Sequence, residues 1–200
     1  MNQKSKWRKL CSLLLAAAML AGCGNTEEKI VSEVSEAEET NTAESSEDTE
    51  VSIGMPKQMP AFIAKDLQGN EITESIFAEK DLTVVNIWGT FCPPCIAEMP
   101  ELGEWAKEMP DNVQLVGLIV DIQGDNDTEH HDLAVMITEK AGAEFTQIIA
   151  NEDLSDITRW VVGVPTTLFV DKEGTIVGEA IVGADVDGYK SFVEDYIDGK

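Results

Sequence analysis

Two cysteines separated by two prolines, Cys92-Pro93-Pro94-Cys95 in the stretch WGTFCPPCIAEMP (88–100), are the residues of this chain best suited to chemistry. A dithiol at this spacing can hold a metal, lock a loop or exchange electrons. The β-branched run DLTVVNIW (81–88) precedes the pair and a helix-compatible segment, Ile96 to Glu108, follows it, so Cys92 falls at a helix N-terminus. There, unpaired backbone N–H groups and the positive end of the helix dipole favour a thiolate, the species that attacks disulfides. Cys95, one turn further on, is placed to attack the resulting mixed disulfide and release the product. A zinc site wants four ligands, and this chain offers no second pair, only the adjacent His130 and His131 in the polar stretch GDNDTEHH. A purely structural disulfide across so short a loop would restrict little unfolded-chain entropy. The residues favour thiol–disulfide exchange.

The other two cysteines lie near the start of the chain. Residues 1–22 carry Lys4, Lys6, Arg8 and Lys9, then an apolar stretch from Leu10 to Ala21, then Gly22. That is the layout of a secretory signal peptide. About twelve apolar residues at ~1.5 Å rise cover ~18 Å, too short for a hydrocarbon core of ~30 Å. The ending Leu20-Ala21-Gly22-Cys23 resembles the lipobox of bacterial lipoproteins, which implies cleavage before Cys23 and lipidation of its sulfur. Two or three acyl chains at ~0.8 kcal/mol per buried CH₂ would anchor the chain to a membrane on its extracytoplasmic side. Cys11 would leave with the signal and Cys23 would be blocked, so Cys92 and Cys95 would be the only thiols of the mature chain. Residues 23–54 follow as the lipidated cysteine and an acidic, Glu/Ser/Thr-rich linker that buries too little apolar surface to fold. Loss of the signal removes four basic residues and no acidic one, moving the formal charge from −24 to −28. That sign argues against nucleic acid and against electrostatic binding to anionic lipid.

Residues 55–200 alternate strand and helix signals, which points to an α/β domain. A hairpin over 60–73 turns at Gln68-Gly69-Asn70, and a short helical turn spans Glu74 to Glu79. Strand 81–88 leads into the cysteine pair and its helix, where Met99, Leu102 and Trp105 form an apolar face and Pro100 predicts a kink. Strands over 113–120, 145–150, 163–171 and 175–183, helices over 128–140 and 153–160, and an amphipathic C-terminal helix with Tyr189, Phe192, Val193 and Tyr196 complete the expectation.

VVNIWGTFCPPCIAEMP together with GVPTTLFVDKEG (163–174) resembles the thioredoxin-fold, membrane-anchored thiol-disulfide oxidoreductases of the TlpA and ResA type, over roughly residues 56–198. The resemblance implies a thioredoxin-like α/β fold: a central mixed sheet flanked by helices, with an N-terminal hairpin and an inserted strand and helix, here Val113 to Gly142. It implies that Pro165 is cis and packed against the cysteines, so that Val164 presents its backbone to an extended substrate. Trp88, Pro93 and Pro94 are expected to share in substrate binding, with no cofactor beyond the redox-active disulfide and no metal. Glu98 matches a glutamate of the ResA type and is expected to accept the proton of Cys95. Asn86 stands where cytosolic thioredoxins carry a buried Asp.

Neither Pro93 nor Pro94 has an N–H, so backbone donors reach Cys92 only from Cys95 onward. Fewer donors imply a reducing couple, nearer the thioredoxin value of about −270 mV than the DsbA value of about −120 mV. The implied partners are a membrane electron donor of the CcdA or DsbD type and an exported client such as apocytochrome c or a methionine sulfoxide reductase. A peroxide-reducing redoxin is the alternative, although Thr90 lies two positions before Cys92 and no arginine is nearby. A copper chaperone using both sulfurs and a histidine ranks last.

Overall fold

The computed structural model describes residues 54–199. The expectations for the signal segment, Cys23 and most of the linker lie outside them. Seven strands form one mixed sheet. In chain order they are β1 (Ile63–Asp66), β2 (Glu71–Thr73), β3 (Leu82–Trp88), β4 (Val113–Ile119), β5 (Gln147–Ile149), β6 (Thr166–Asp171) and β7 (Ile181–Val182). Their spatial order is β2-β1-β5-β4-β3-β6-β7. The helices are α1 (Pro93–Glu108), α2 (Thr128–Ala141), α3 (Ser155–Trp160) and α4 (Val186–Ile197), with 3₁₀ turns at Glu74–Glu79 and Glu152–Leu154.

β3 organises the sheet because every one of its seven residues is buried. It pairs parallel with β4 and antiparallel with β6. The two-residue period of a strand sends its side chains alternately to two layers. Leu82, Val84 and Trp88 pack with Met99, Leu102 and Trp105 of α1, Ala134 of α2, and Tyr189 and Val193 of α4. Val85 and Ile87 pack on the opposite face with Phe62, Phe77, Leu154 and Ile157. Asn86 falls in the same register as Val84 and Trp88, and therefore points at α1.

Helix starts are marked by side-chain acceptors. Asp127 caps α2 by accepting from the His130 amide, and Asp185 caps α4 by accepting from Gly188. α1 continues through Pro100 without interruption.

Three expectations are corrected. Val113–Ile119 is a central strand in register with all of β3, because VQLVGLI is apolar on both faces; α2 and β5 are the elements between it and the second half of the domain. The strand expected over 175–183 shrinks to Ile181–Val182, preceded by single bridges at Thr175 and Ile176. Gly178 breaks it: φ is +70°, and a Cβ there would run into the ring of Phe192, which stacks on Phe169 at 3.8 Å between centroids. His130 and His131 lie in the first turn of α2 rather than in a loop.

Gly117 of β4 marks a close approach. The amide of Gln147 crosses above it to accept a hydrogen bond from Trp88 Nε1 at 2.9 Å, and a Cβ at 117 would occupy the space of that amide. Replacing Gly117 by Val is expected to destabilise the domain by about 1–3 kcal/mol through overpacking, read from urea unfolding. Gly163→Ala, with nothing within 4 Å of an added Cβ, should leave the midpoint unchanged.

Candidate active site

The loop Gly89–Thr90–Phe91 carries the chain from the end of β3 to the start of α1. It is fastened by Asp121, just past β4. The Thr90 amide donates to both Asp121 carboxylate oxygens at 3.1 and 2.9 Å, and the Thr90 hydroxyl donates to Oδ2 at 2.5 Å. The Cys92 amide donates to the Gly89 carbonyl at 3.1 Å. Cys92 is thereby the N-cap of α1, with Pro93 and Pro94 in the first helical positions where a missing N–H costs nothing. Its sulfur accepts from the Cys95 amide at 3.3 Å, the first donor the prolines leave available.

Cys92 and Cys95 are joined as a disulfide, with Cα atoms 5.3 Å apart. The Val164–Pro165 bond is cis, and the Val164 carbonyl oxygen lies 3.4 Å from Cys92 Sγ. A disulfide sulfur carries no proton, so this is a van der Waals approach that becomes a possible hydrogen bond only on reduction. The pair is more enclosed than the sequence suggests: Cys95 is 0% exposed and Cys92 4%. The residual surface of Cys92 opens on a groove of about 470 Å³ walled by Phe91, Pro93, Pro94, Val161, Val162 and Val164. Phe91 is 66% exposed and Val162 93%, so the mouth is apolar. A larger hollow of about 1120 Å³ lies beyond Val120 and Thr158 and contains neither sulfur.

Trp88, expected to bind substrate, is corrected. It is wholly buried with its indole N–H on Gln147, since it ends a strand whose side chains on that face enter the core. Pro93, Pro94 and Val164 do line the groove.

Glu98 lies on the inner face of α1, three residues after Cys95, and is 6% exposed. Asn86 Nδ2 donates to its Oε1 at 3.0 Å and the Tyr189 hydroxyl faces Oε2 at 3.3 Å. The second Asn86 N–H goes to Thr167 Oγ1 at 3.1 Å, leaving Asn86 Oδ1 buried without a partner. Burial raises the Glu98 pKa above its ordinary value; the bonds from Asn86 and Tyr189 pull it back, and Glu101 adds repulsion. Burial likewise raises the phenol of Tyr189. Tyr189, Thr167 and Asp121 were not singled out in the sequence for this site. The one signal for Tyr189 is a phenol within the apolar stripe of α4, because a buried tyrosine hydroxyl usually finds a polar partner.

His130 Nδ1 pairs with Asp127 at 2.8 Å, and His131 Nε2 faces the Leu67 carbonyl at 3.1 Å, both away from the sulfurs' groove. Among the described residues no group of three or more His, Cys, Asp or Glu is arranged to hold a metal, and no helix is long and apolar enough to cross a membrane.

A raised carboxyl pKa means that the folded state holds a proton the unfolded chain has released. Glu98 therefore lowers stability progressively as pH rises from its ordinary 4.5 through the raised value. Glu98→Gln lacks this loss, so its stability relative to the parent should improve as pH rises above the ordinary 4.5 in urea unfolding of the oxidised proteins, and level off once Glu98 is ionised in the folded state. A difference independent of pH would contradict the assignment.

Comparison with known proteins agrees with this geometry. The redoxin family model matches residues 55–195. The thiol-disulfide oxidoreductase ResA of Bacillus thuringiensis subsp. konkukian is 30% identical over 127 residues, covering 62% of this chain and 67% of the relative. The thiol:disulfide interchange protein DsbE of Vibrio cholerae is 28% identical over 127 residues, covering 62% and 64%. Among solved structures, StoA of Bacillus subtilis superposes with a TM-score of 0.55 at 18% identity, covering 69% of this chain and 99% of that one, and shows the same fold. With a Cys92–Cys95 disulfide at the start of a helix beside a cis-proline, on a thioredoxin-like sheet, the chain belongs to the redoxin family and is a thiol-disulfide oxidoreductase of the ResA/DsbE type.

Proposed function

We propose that this protein is a lipid-anchored, extracytoplasmic disulfide reductase that acts on exported proteins. The observation that carries the reading is the placement of Cys92: its sulfur caps α1, accepts the Cys95 amide and lies against Val164 at the floor of an apolar groove. In the reduced protein the Cys92 thiolate attacks one sulfur of a client disulfide. A Cys92–client bond forms, the client S–S bond breaks, and the other client sulfur leaves as a thiolate. Cys95 then gives its proton to Glu98 and attacks Cys92, which releases the second client thiolate and leaves the Cys92–Cys95 disulfide. The client gains two electrons and the protein loses them.

Glu98 suits the acceptor role because its burial narrows the gap between an ordinary carboxylate and a thiol near 8.5, so that transfer costs less than between the free groups. Pro165, cis beside the pair, and Val164 offer backbone to an extended client segment, with Pro93, Pro94 and the exposed Phe91 forming the apolar rim.

The extracytoplasmic reading rests on the basic and apolar stretch over residues 1–22 and on the lipobox ending at Cys23. Outside the cytoplasm no thiol pool recharges a reductase, so a membrane donor of the CcdA or DsbD type supplies the electrons. An exported protein such as apocytochrome c or a methionine sulfoxide reductase receives them. Scarcity of donors to Cys92 supports a reducing poise.

One experiment addresses both parts. Cys95→Ser lets mixed disulfides at Cys92 persist, so non-reducing gels of membrane fractions should show adducts that vanish on reduction and on adding Cys92→Ser. With Cys23→Ser those adducts should move from the membrane fraction to the soluble one. Absence of adducts at Cys92 would overturn the reductase reading, and adducts that stay in the membrane despite Cys23→Ser would overturn the anchor.

A further inference from the structure

The hydroxyl of Tyr189 sits where α1, α4 and the segment after β7 meet, and it has more partners than protons. Its oxygen is 2.8 Å from the Gly183 carbonyl oxygen, 3.3 Å from Glu98 Oε2 and 3.3 Å from the Asp185 amide nitrogen. The amide donates to it. The single phenolic proton can then go to Gly183 or to Glu98, and the charge on Glu98 decides which. An ionised carboxylate draws the proton, because bonds to a charged acceptor are about twice as strong as neutral ones. A protonated Glu98 has no such pull, and the phenol then serves Gly183. The amide of Gly183 in turn donates to the carbonyl of Pro165 at 2.8 Å. Gly183 thus meets Tyr189 through its carbonyl and the cis-proline through its amide, and is the one residue between the carboxyl group behind Cys95 and the Pro165 backbone.

We propose that Tyr189 is a positioning residue that tunes the charge state of Glu98 and transmits it through Gly183 to the backbone of Pro165. This rests on the reading that Glu98 takes the proton of Cys95; it adds a link by which proton transfer and the substrate-facing segment are coupled. The groups around Glu98 leave this task to Tyr189. On its own helix the charged neighbour is Glu101, which repels it and is itself paired with Lys190 of α4 at 2.6 Å. Cys95 lies one turn earlier on α1. From β3, Asn86 donates to the other carboxylate oxygen, and from β6, Thr167 accepts from Asn86 and hydrogen-bonds the Tyr189 hydroxyl rather than Glu98. Asn86 has two N–H groups, one for Glu98 and one for Thr167, whereas the single phenolic proton of Tyr189 is shared between Glu98 and Gly183.

The test follows Glu98 directly, in the oxidised full-length chain labelled with ¹³C at glutamate carboxyls, with Glu98→Gln identifying the resonance. Tyr189→Phe removes one of two donors to the carboxylate, so the titration midpoint of Glu98 should rise by about one pH unit. In the parent protein the Gly183 amide resonance should titrate with the same midpoint, and this response should disappear in both Tyr189→Phe and Glu98→Gln. A Glu98 midpoint unchanged in Tyr189→Phe, or a Gly183 titration that survives it, overturns the proposal. The chain holds only two tyrosines. Should Tyr189→Phe not fold, uniform 3-fluorotyrosine in a Tyr196→Phe chain alters Tyr189 alone. Its more acidic phenol is a stronger donor, so the midpoint should fall; no movement, or movement upward, overturns the proposal. The pH profile of mixed-disulfide resolution separates the two levels. If the Glu98 midpoint moves and the profile does not follow, the role of Tyr189 stands and that of Glu98 as acceptor fails.

Discussion

Cys92 stands at the N-cap of α1, its sulfur 3.3 Å from the Cys95 amide, and the rest of the site is arranged around that one contact. The first turn of any helix leaves N–H groups without partners. Here two of them are absent because Pro93 and Pro94 carry none, and the next is given to the sulfur. A thiolate formed there meets the positive end of a helix of sixteen residues, whose N-terminus is held in place by the buried strand before it and by Asp121 gripping Thr90. Without Thr90 fastened, the loop between β3 and α1 would not fix the cap, and without the cap the sulfur would be an ordinary thiol.

Behind the sulfurs lies a thin polar layer inside an otherwise apolar core. Asn86, Glu98, Thr167 and Tyr189 come from β3, α1, β6 and α4, and all four are buried. Unpaired polar groups at such depth are costly, so the layer persists through mutual hydrogen bonds. The unpartnered Asn86 Oδ1 is its one open place. Asn86 directs both N–H groups outward to acceptors, an arrangement that suits an ionised Glu98. The fold thereby places a titratable carboxyl one turn from Cys95 while keeping bulk water away from it.

Much of this was legible in the sequence. The apolar run of β3, the turn at Gly69, the helix that opens at the cysteine pair and the cis-proline after Val164 follow from local signals or from the paired motifs. What escaped are features made by contact between distant segments. Tyr189 reads as one more apolar position on an amphipathic helix, since periodicity registers its ring and not its hydroxyl; the partner that gives the hydroxyl meaning is 91 residues away. Trp88, expected at the substrate site from the resemblance, is turned into the core by the strand period. The strand expected near Gly178 fails because Phe192, fourteen positions on, already fills the space. Gln147 gives no local hint that it reaches across Gly117 to an indole.

The measurement that bears most directly on the account is alkylation of the reduced protein with iodoacetamide over a range of pH, with mass spectrometry locating the label. Cys92 should be modified first, with a rate whose pH midpoint lies below the roughly 8.5 of a free thiol, and Cys95 should lag far behind it. Equal labelling of the two sulfurs, or a Cys92 midpoint at or above that of a free thiol, would contradict it.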